Sequence, residues 1–275
     1  RESFLSVLRG ADQERISDKF AMSSFPIALD TDMKDSTMID FLGMEFDTLK
    51  SSITGGVYFK YDNTKPVTWK IPLFGKVYVS DSIHLPLAYV IPVEWAEVIN
   101  RVKLHGVSVI TLPDVPSVRV VATKMTNVKF PAASYEGRFR PDFTPHDFDT
   151  VAHIHQGSAL VLVKQPKIKV LAWLLDAASE DSFLKWGFFN AVFEQKEYGE
   201  MYVLEPLAEK MFAENPALKA EFDALIKNDP AFAANQWAQM NWVYNRTQYR
   251  DQEYCVYPVV KITDPLELKK LLPQQ

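Results

Sequence analysis

Val57-Tyr58-Phe59-Lys60-Tyr61-Asp62-Asn63-Thr64-Lys65-Pro66-Val67-Thr68-Trp69-Lys70-Ile71 is the stretch that decides the fold class. Val57, Phe59 and Tyr61 alternate with Tyr58, Lys60 and Asp62, and Val67, Trp69 and Ile71 alternate with Thr68 and Lys70. Successive side chains on a strand point to opposite faces, so a period of two predicts β-strands here. Gly55-Gly56 and Asp62-Asn63 supply turn chemistry between them. Strands joined by short turns pair antiparallel, so an antiparallel-rich sheet is expected from Ile39 through the first half of the chain.

Outward from that stretch the pattern changes. Leu87 to Leu112 reads as strand, helix, strand: Pro92 suits a first helical turn, Trp95, Val98, Ile99 and Val102 recur at helical spacing, and Gly106 ends the helix. If the flanking strands share a sheet, they run parallel. Short strands are expected again between Val118 and Val163, broken by a Pro-rich, aromatic loop around Phe139 to Phe148. After Pro166 the chain turns helical. Ile168, Leu171, Ala172 and Leu175 form one apolar face, and Leu204, Leu207, Ala208 and Met211 another. Asn215-Pro216 and Asp229-Pro230 each read as an N-cap followed by proline at the first helical position. A last strand, Tyr254 to Ile262, returns to the sheet. The fold class is α+β, divided into an N-terminal helix and linker (1–34, a possible junction to an upstream domain), one α+β domain (35–266) and a polar C-terminal tail (267–275).

Composition removes several function classes. The chain has 275 residues, 47% of them hydrophobic, enough for a substantial core. Its net charge of -5 is spread along the sequence without a basic stripe, so nucleic acid is not an expected partner. No apolar run reaches the ~18 residues that cross a bilayer as a helix. The one cysteine, Cys255, permits no internal disulfide and reads as a buried, inert thiol.

His153-Ile154-His155-Gln156-Gly157-Ser158 raises the question of a metal. On a strand, positions i and i+2 face the same way, so His153 and His155 could chelate one ion. The carboxylate that a cupin places a few residues further on is missing; His146, Asp147 and Asp149 lie upstream and could fold back. The metal candidates are therefore His146, His153 and His155, set against two histidines that merely face solvent or make hydrogen bonds. Glu194, Glu197 and Glu200 read as a solvated helix face, and Trp186, Phe188, Phe189 and Phe193 as a helix buried on most of its surface. No P-loop, Gly-x-Gly-x-x-Gly, Gly-x-Ser-x-Gly or cysteine pair is present.

Gly157-Ser158-Ala159-Leu160-Val161-Leu162-Val163-Lys164-Gln165-Pro166, Leu171-Ala172-Trp173-Leu174-Leu175-Asp176 and Trp186-Gly187-Phe188-Phe189-Asn190 carry a resemblance. Together with Tyr61-Asp62 to Lys65-Pro66, Ala88-Tyr89-Val90-Ile91-Pro92 with Trp95, Leu104-His105-Gly106 and Tyr257-Pro258-Val259, they resemble the C-terminal region of bacterial zinc carboxypeptidase-like proteins of the carboxypeptidase A type. That family holds zinc with a His-x-x-Glu pair and a distant second histidine. Here none of His84, His105, His146, His153 and His155 is followed three residues later by glutamate, so no catalytic residue carries over. The resemblance implies a non-catalytic accessory domain that packs on or gates an upstream peptidase domain, in contact with a peptide or cell-wall substrate. It implies zinc only in that upstream domain, no cofactor in this chain, and a periplasmic or secreted location. Two alternatives stand beside it. One is a stand-alone metal-dependent hydrolase or cupin-like protein using His153 and His155; the other is a peptide- or carbohydrate-binding module.

Overall fold

In a computed structural model of the protein, residues 2–17 and 24–273 are described. The chain separates into two compact units, residues 24–84 and residues 1–23 with 85–275, so the expected domain 35–266 spans a boundary after His84. The N-terminal helix expected within 1–34 is α1 (Glu2–Arg15). The linker expected after it lies outside the described residues at 18–23, and from Ser24 onward it is a strand rather than connecting chain.

Residues 24–84 form two antiparallel pairs: β1 (Ser24–Thr31) with β4 (Val77–His84), and β2 (Thr37–Lys50) with β3 (Val57–Leu73). The β2–β3 turn closes where Gly55-Gly56 predicts, with Gly55 at φ 71° and the Ser51 amide donating to the Gly56 carbonyl at 2.8 Å. Asp62-Asn63, in contrast, is no turn between strands. Residues 62–65 bulge out of β3 opposite Glu45 alone, since Met44 pairs with Pro66 and Phe46 with Tyr61. The bulge is held by Asp62, whose carboxylate accepts from the Thr64 amide and hydroxyl at 3.0 and 2.7 Å. Trp69 covers Gly43, where a Cβ would come within 2.3 Å of the ring, and it stacks near-parallel to Phe41.

The larger unit is built on one antiparallel sheet of order β6-β9-β5-β10-β7-β8. Its strands are β5 (Ala88–Ile91), β6 (Ile110–Thr111), β7 (Val115–Lys129), β8 (Asp142–Ile154), β9 (Ala159–Leu162) and β10 (Val256–Ile262). A short 3-10 turn, Val93–Trp95, leads from β5 into α2 (Ala96–Leu104), and Gly106 follows at φ 74°. β5 and β6 both pair antiparallel with β9, so they run parallel with β9 inserted between them, as the strand-helix-strand pattern required. The loop expected from Phe139 to Phe148 is largely strand. β8 begins at Asp142 and lies at the sheet edge, where Pro145 lacks only an amide that an inner ladder would use.

The second half is helical: α3 (Ile168–Leu175), α4 (Met201–Glu214), α5 (Pro216–Asn228), α6 (Pro230–Ala233) and α7 (Gln236–Tyr244). Asn215 accepts from the Leu218 amide at 3.1 Å, and Asp229 from Ala231 and Phe232 at 3.0 Å, so both expected caps form. The expected helix through Trp186 and Phe193 does not. Gly187 sits at φ 74° with the Phe139 carbonyl 3.0 Å from where a Cβ would be, and turns run there until a 3-10 turn at Asn190–Phe193. Phe189 is nonetheless fully buried. Glu194, Glu197 and Glu200 are solvated as expected, but on irregular chain. The polar tail expected from residue 267 is instead helix α8 (Pro265–Leu271), capped by Asp264, with Glu267 and Leu271 buried; residues 274–275 lie outside the described range. Among the described residues, no helix is long and apolar enough to cross a membrane.

One side of the sheet packs Ala88, Val90, Val118, Val120, Leu160 and Ile262 with Leu271 of α8. Tyr89 and Lys261 alternate to the other side, where Asp176 closes α3. There the Lys261 ammonium lies 3.0 Å from Asp147 and 3.1 Å from Asp176. The Tyr89 hydroxyl donates to Asp176, and the Thr123 hydroxyl to Asp147 at 2.6 Å. Burial alone would lower the pKa of Lys261, but the two carboxylates outweigh it and hold the ammonium charged. Removing one partner of a buried ion pair leaves the rest uncompensated, so Lys261→Ala should cost about 3–5 kcal/mol, read as a fall in denaturant midpoint at unchanged m.

On the α8 side, Glu267 accepts from Lys270 Nζ at 2.6 Å and from the Arg119 amide and Nε, both at 3.0 Å. Those bonds, Lys270 first and the Arg119 amide next, lower its carboxyl from 4.5 to about 2. The folded state therefore binds this proton less tightly than the unfolded chain. The resulting stability is present above pH 4.5 and lost as the pH falls toward 2. In thermal melts at stepped pH, the gap between wild type and Glu267→Gln should close across that window.

Candidate functional site

β8 ends at the buried Ile154, and strand alternation turns His153 and His155, on either side of it, toward solvent. The pairing of Val115 with Ile154 brings the residue before β7, Asp114, beside both imidazoles. Both Asp114 oxygens lie 2.9 Å from His153 Nε2, and Oδ1 lies 3.9 Å from His155 Nδ1. The imidazole centroids are 4.4 Å apart. One donor atom from each of the three residues falls within 4.8 Å of the others. The His153 hydrogen bond holds the Asp114 carboxyl below the usual carboxylate range.

The turn behind these groups is fixed on both sides. The Leu112 amide donates to the Ser158 carbonyl at 2.8 Å and the Gly157 amide to the Leu112 carbonyl at 2.9 Å. Gly157 adopts φ 93°, and a Cβ there would meet Val93 Cγ2 at 2.9 Å. Beside the turn opens a cleft of about 850 Å³ lined by His153, His155, Trp95, Phe148, Glu194 and Glu253, among others.

His153 and His155 are thus brought together and His146 is not. His146 bonds the Thr126 hydroxyl at 3.0 Å, and its seven-residue separation from His153 along the continuous strand β8 amounts to ~23 Å. Asp147 is committed to Lys261 and Thr123, so the upstream residues do not fold back. The missing carboxylate comes from the other side of the hairpin. Asp114 has no local pattern that marks it; only the β7–β8 register reveals it. Cys255 is buried, as expected, one residue before β10 in left-handed backbone at φ 57°, and burial pushes its thiol pKa up.

No family model, curated protein or solved structure matches the chain.

Gly157→Ala combines a left-handed backbone with a clash at Val93, so it should destabilise the fold by about 1–3 kcal/mol. A Tm unchanged from wild type would show that the turn is free to move.

Proposed function

We propose that the chain is a non-catalytic accessory domain of a zinc metallocarboxypeptidase-like protein, packing on or gating its peptidase domain. The observation that carries this reading is where the resembling stretches lie in the fold. Ala88–Ile91, Ala159–Leu162 and Tyr257–Val259 fall on β5, β9 and β10, which lie side by side in the order β9-β5-β10. Trp95, Phe189 and Tyr257 then pack in sequence, the first pair tilted and the second edge to face, with centroids 4.5 and 5.0 Å apart. Leu175 accepts from the Tyr257 hydroxyl and Asp176 from that of Tyr89. Gln165 is buried and bonds both ways with Ser108, its side-chain oxygen accepting the Ser108 amide at 2.8 Å. Several of the resembling stretches in the larger unit thus share one core, whereas Tyr61 to Pro66 belongs to the other unit and Leu104-His105-Gly106 is exposed.

The chemistry agrees with an accessory role. No histidine has the His-x-x-Glu partner, and the Asp-His-His group is exposed at a strand end. Upstream of Arg1, the coding sequence is expected to carry an in-frame His-x-x-Glu with a second histidine. The purified chain should release no C-terminal residue from blocked dipeptides or peptides, with or without added zinc. Peptidase turnover by this chain, abolished by chelation, would overturn the reading.

A further inference from the structure

We infer that Asp114, His153 and His155 form a binding site for a divalent first-row transition ion, zinc(II) by the chemistry of its donors. The donor set is two imidazoles and one carboxylate, the borderline and hard ligands that zinc accepts in sites with an open position. Ligands bound to zinc at ~2.0–2.1 Å in tetrahedral geometry stand about 3.3 Å from one another. The carboxylate lies 2.9 Å from one imidazole nitrogen and 3.9 Å from the other, on either side of that value. All three donor atoms lie within 4.8 Å of one another, so they share the neighbourhood of a single ion.

The alternative is a plain Asp114–His153 ion pair. That pair has no need of His155, yet His155 turns its Nδ1 toward the same carboxylate, with the two rings tilted 41° over one another. The scaffold is also that of a built site. The donors sit on a strand end, a turn pinned by two backbone hydrogen bonds and a hairpin partner. Three protein ligands leave one tetrahedral position open. His153 and His155 line the cleft, so that position has room for a water or a carboxylate from a bound peptide.

The test uses the full chain after chelator treatment, with zinc(II) and cobalt(II) as probes. We expect one equivalent of either ion, and a cobalt spectrum in the tetrahedral range. Binding should vanish in His153→Ala/His155→Ala and weaken about tenfold or more in Asp114→Asn, while His146→Ala binds as wild type. Imidazole NMR resonances of the wild type give a readout independent of the variants: zinc should shift His153 and His155 and leave His84, His105 and His146 in place. Equal binding by wild type and double variant, or a uniform response of all five histidines, would reduce the group to an ion pair and overturn the inference. The site departs from the accessory-domain reading, which places no metal in this chain: absent metal binding leaves that reading standing, stoichiometric zinc counts against it, and peptidase turnover insensitive to the double variant would sink that reading alone.

Discussion

The ammonium of Lys261 is the group on which the larger unit depends. It is carried into the interior by β10 and meets Asp147 from β8 and Asp176 from the end of α3. Thr123 of β7 donates to the second Asp147 oxygen, Tyr89 of β5 to the same Asp176 oxygen that Lys261 meets, and the Ala178 amide to the other. Lys261 and Asp176 are buried and tolerate little displacement, because a buried charge moved from its partner meets the cost of desolvation; Asp147 is about half exposed. The cluster therefore sets the register of four strands against one helix terminus, something that apolar contacts, being non-directional, do less sharply.

That register is what creates the candidate site. Asp114 and the two histidines belong to segments separated by about forty residues, and their meeting follows from Val115 standing opposite Ile154. A slip of one residue between β7 and β8 would turn His153 and His155 to the opposite face and separate them from Asp114. Nine rungs from Val118–Ala152 to Thr126–Thr144 hold the register of the body of this ladder, and a one-residue irregularity between Val115 and Val118 sets the Val115–Ile154 pairing at its end. The accessory-domain proposal and the metal proposal draw on different parts of this arrangement: the first on the three central strands, the second on the end of an edge strand.

Local chemistry made much of the fold legible. The alternation at Val57–Ile71, the Asn215-Pro216 and Asp229-Pro230 caps, the apolar face of α3 and the parallel relation of β5 and β6 all follow from short-range patterns. The errors arose where tertiary context overrode a local signal. Pro145 made an edge strand read as loop, and helical spacing at Trp186 to Phe193 was interrupted by Gly187 pressed against the Phe139 carbonyl. Helix α8 was missed although Asp264-Pro265 carries the same start signal as the two recognised caps, because Glu267, Lys269 and Lys270 hid its leucines. Of the candidate site, the shared direction of His153 and His155 was visible in the sequence. Asp114 was not, since nothing short of strand pairing places it there.

The β2–β3 ribbon exposes Phe41, Leu42, Phe46, Phe59 and Tyr61, a composition that in a bare two-stranded hairpin invites edge-to-edge association. Charges set directly across the ladder oppose this. Asp40 faces Lys70, and Asp47 faces Lys60, while Lys65 on the bulge reaches both Glu45 and Asp62. An identical ribbon stacking in register would bring each of these charges against its own kind. The charge pattern thus opposes pairing of the ribbon with its own copies.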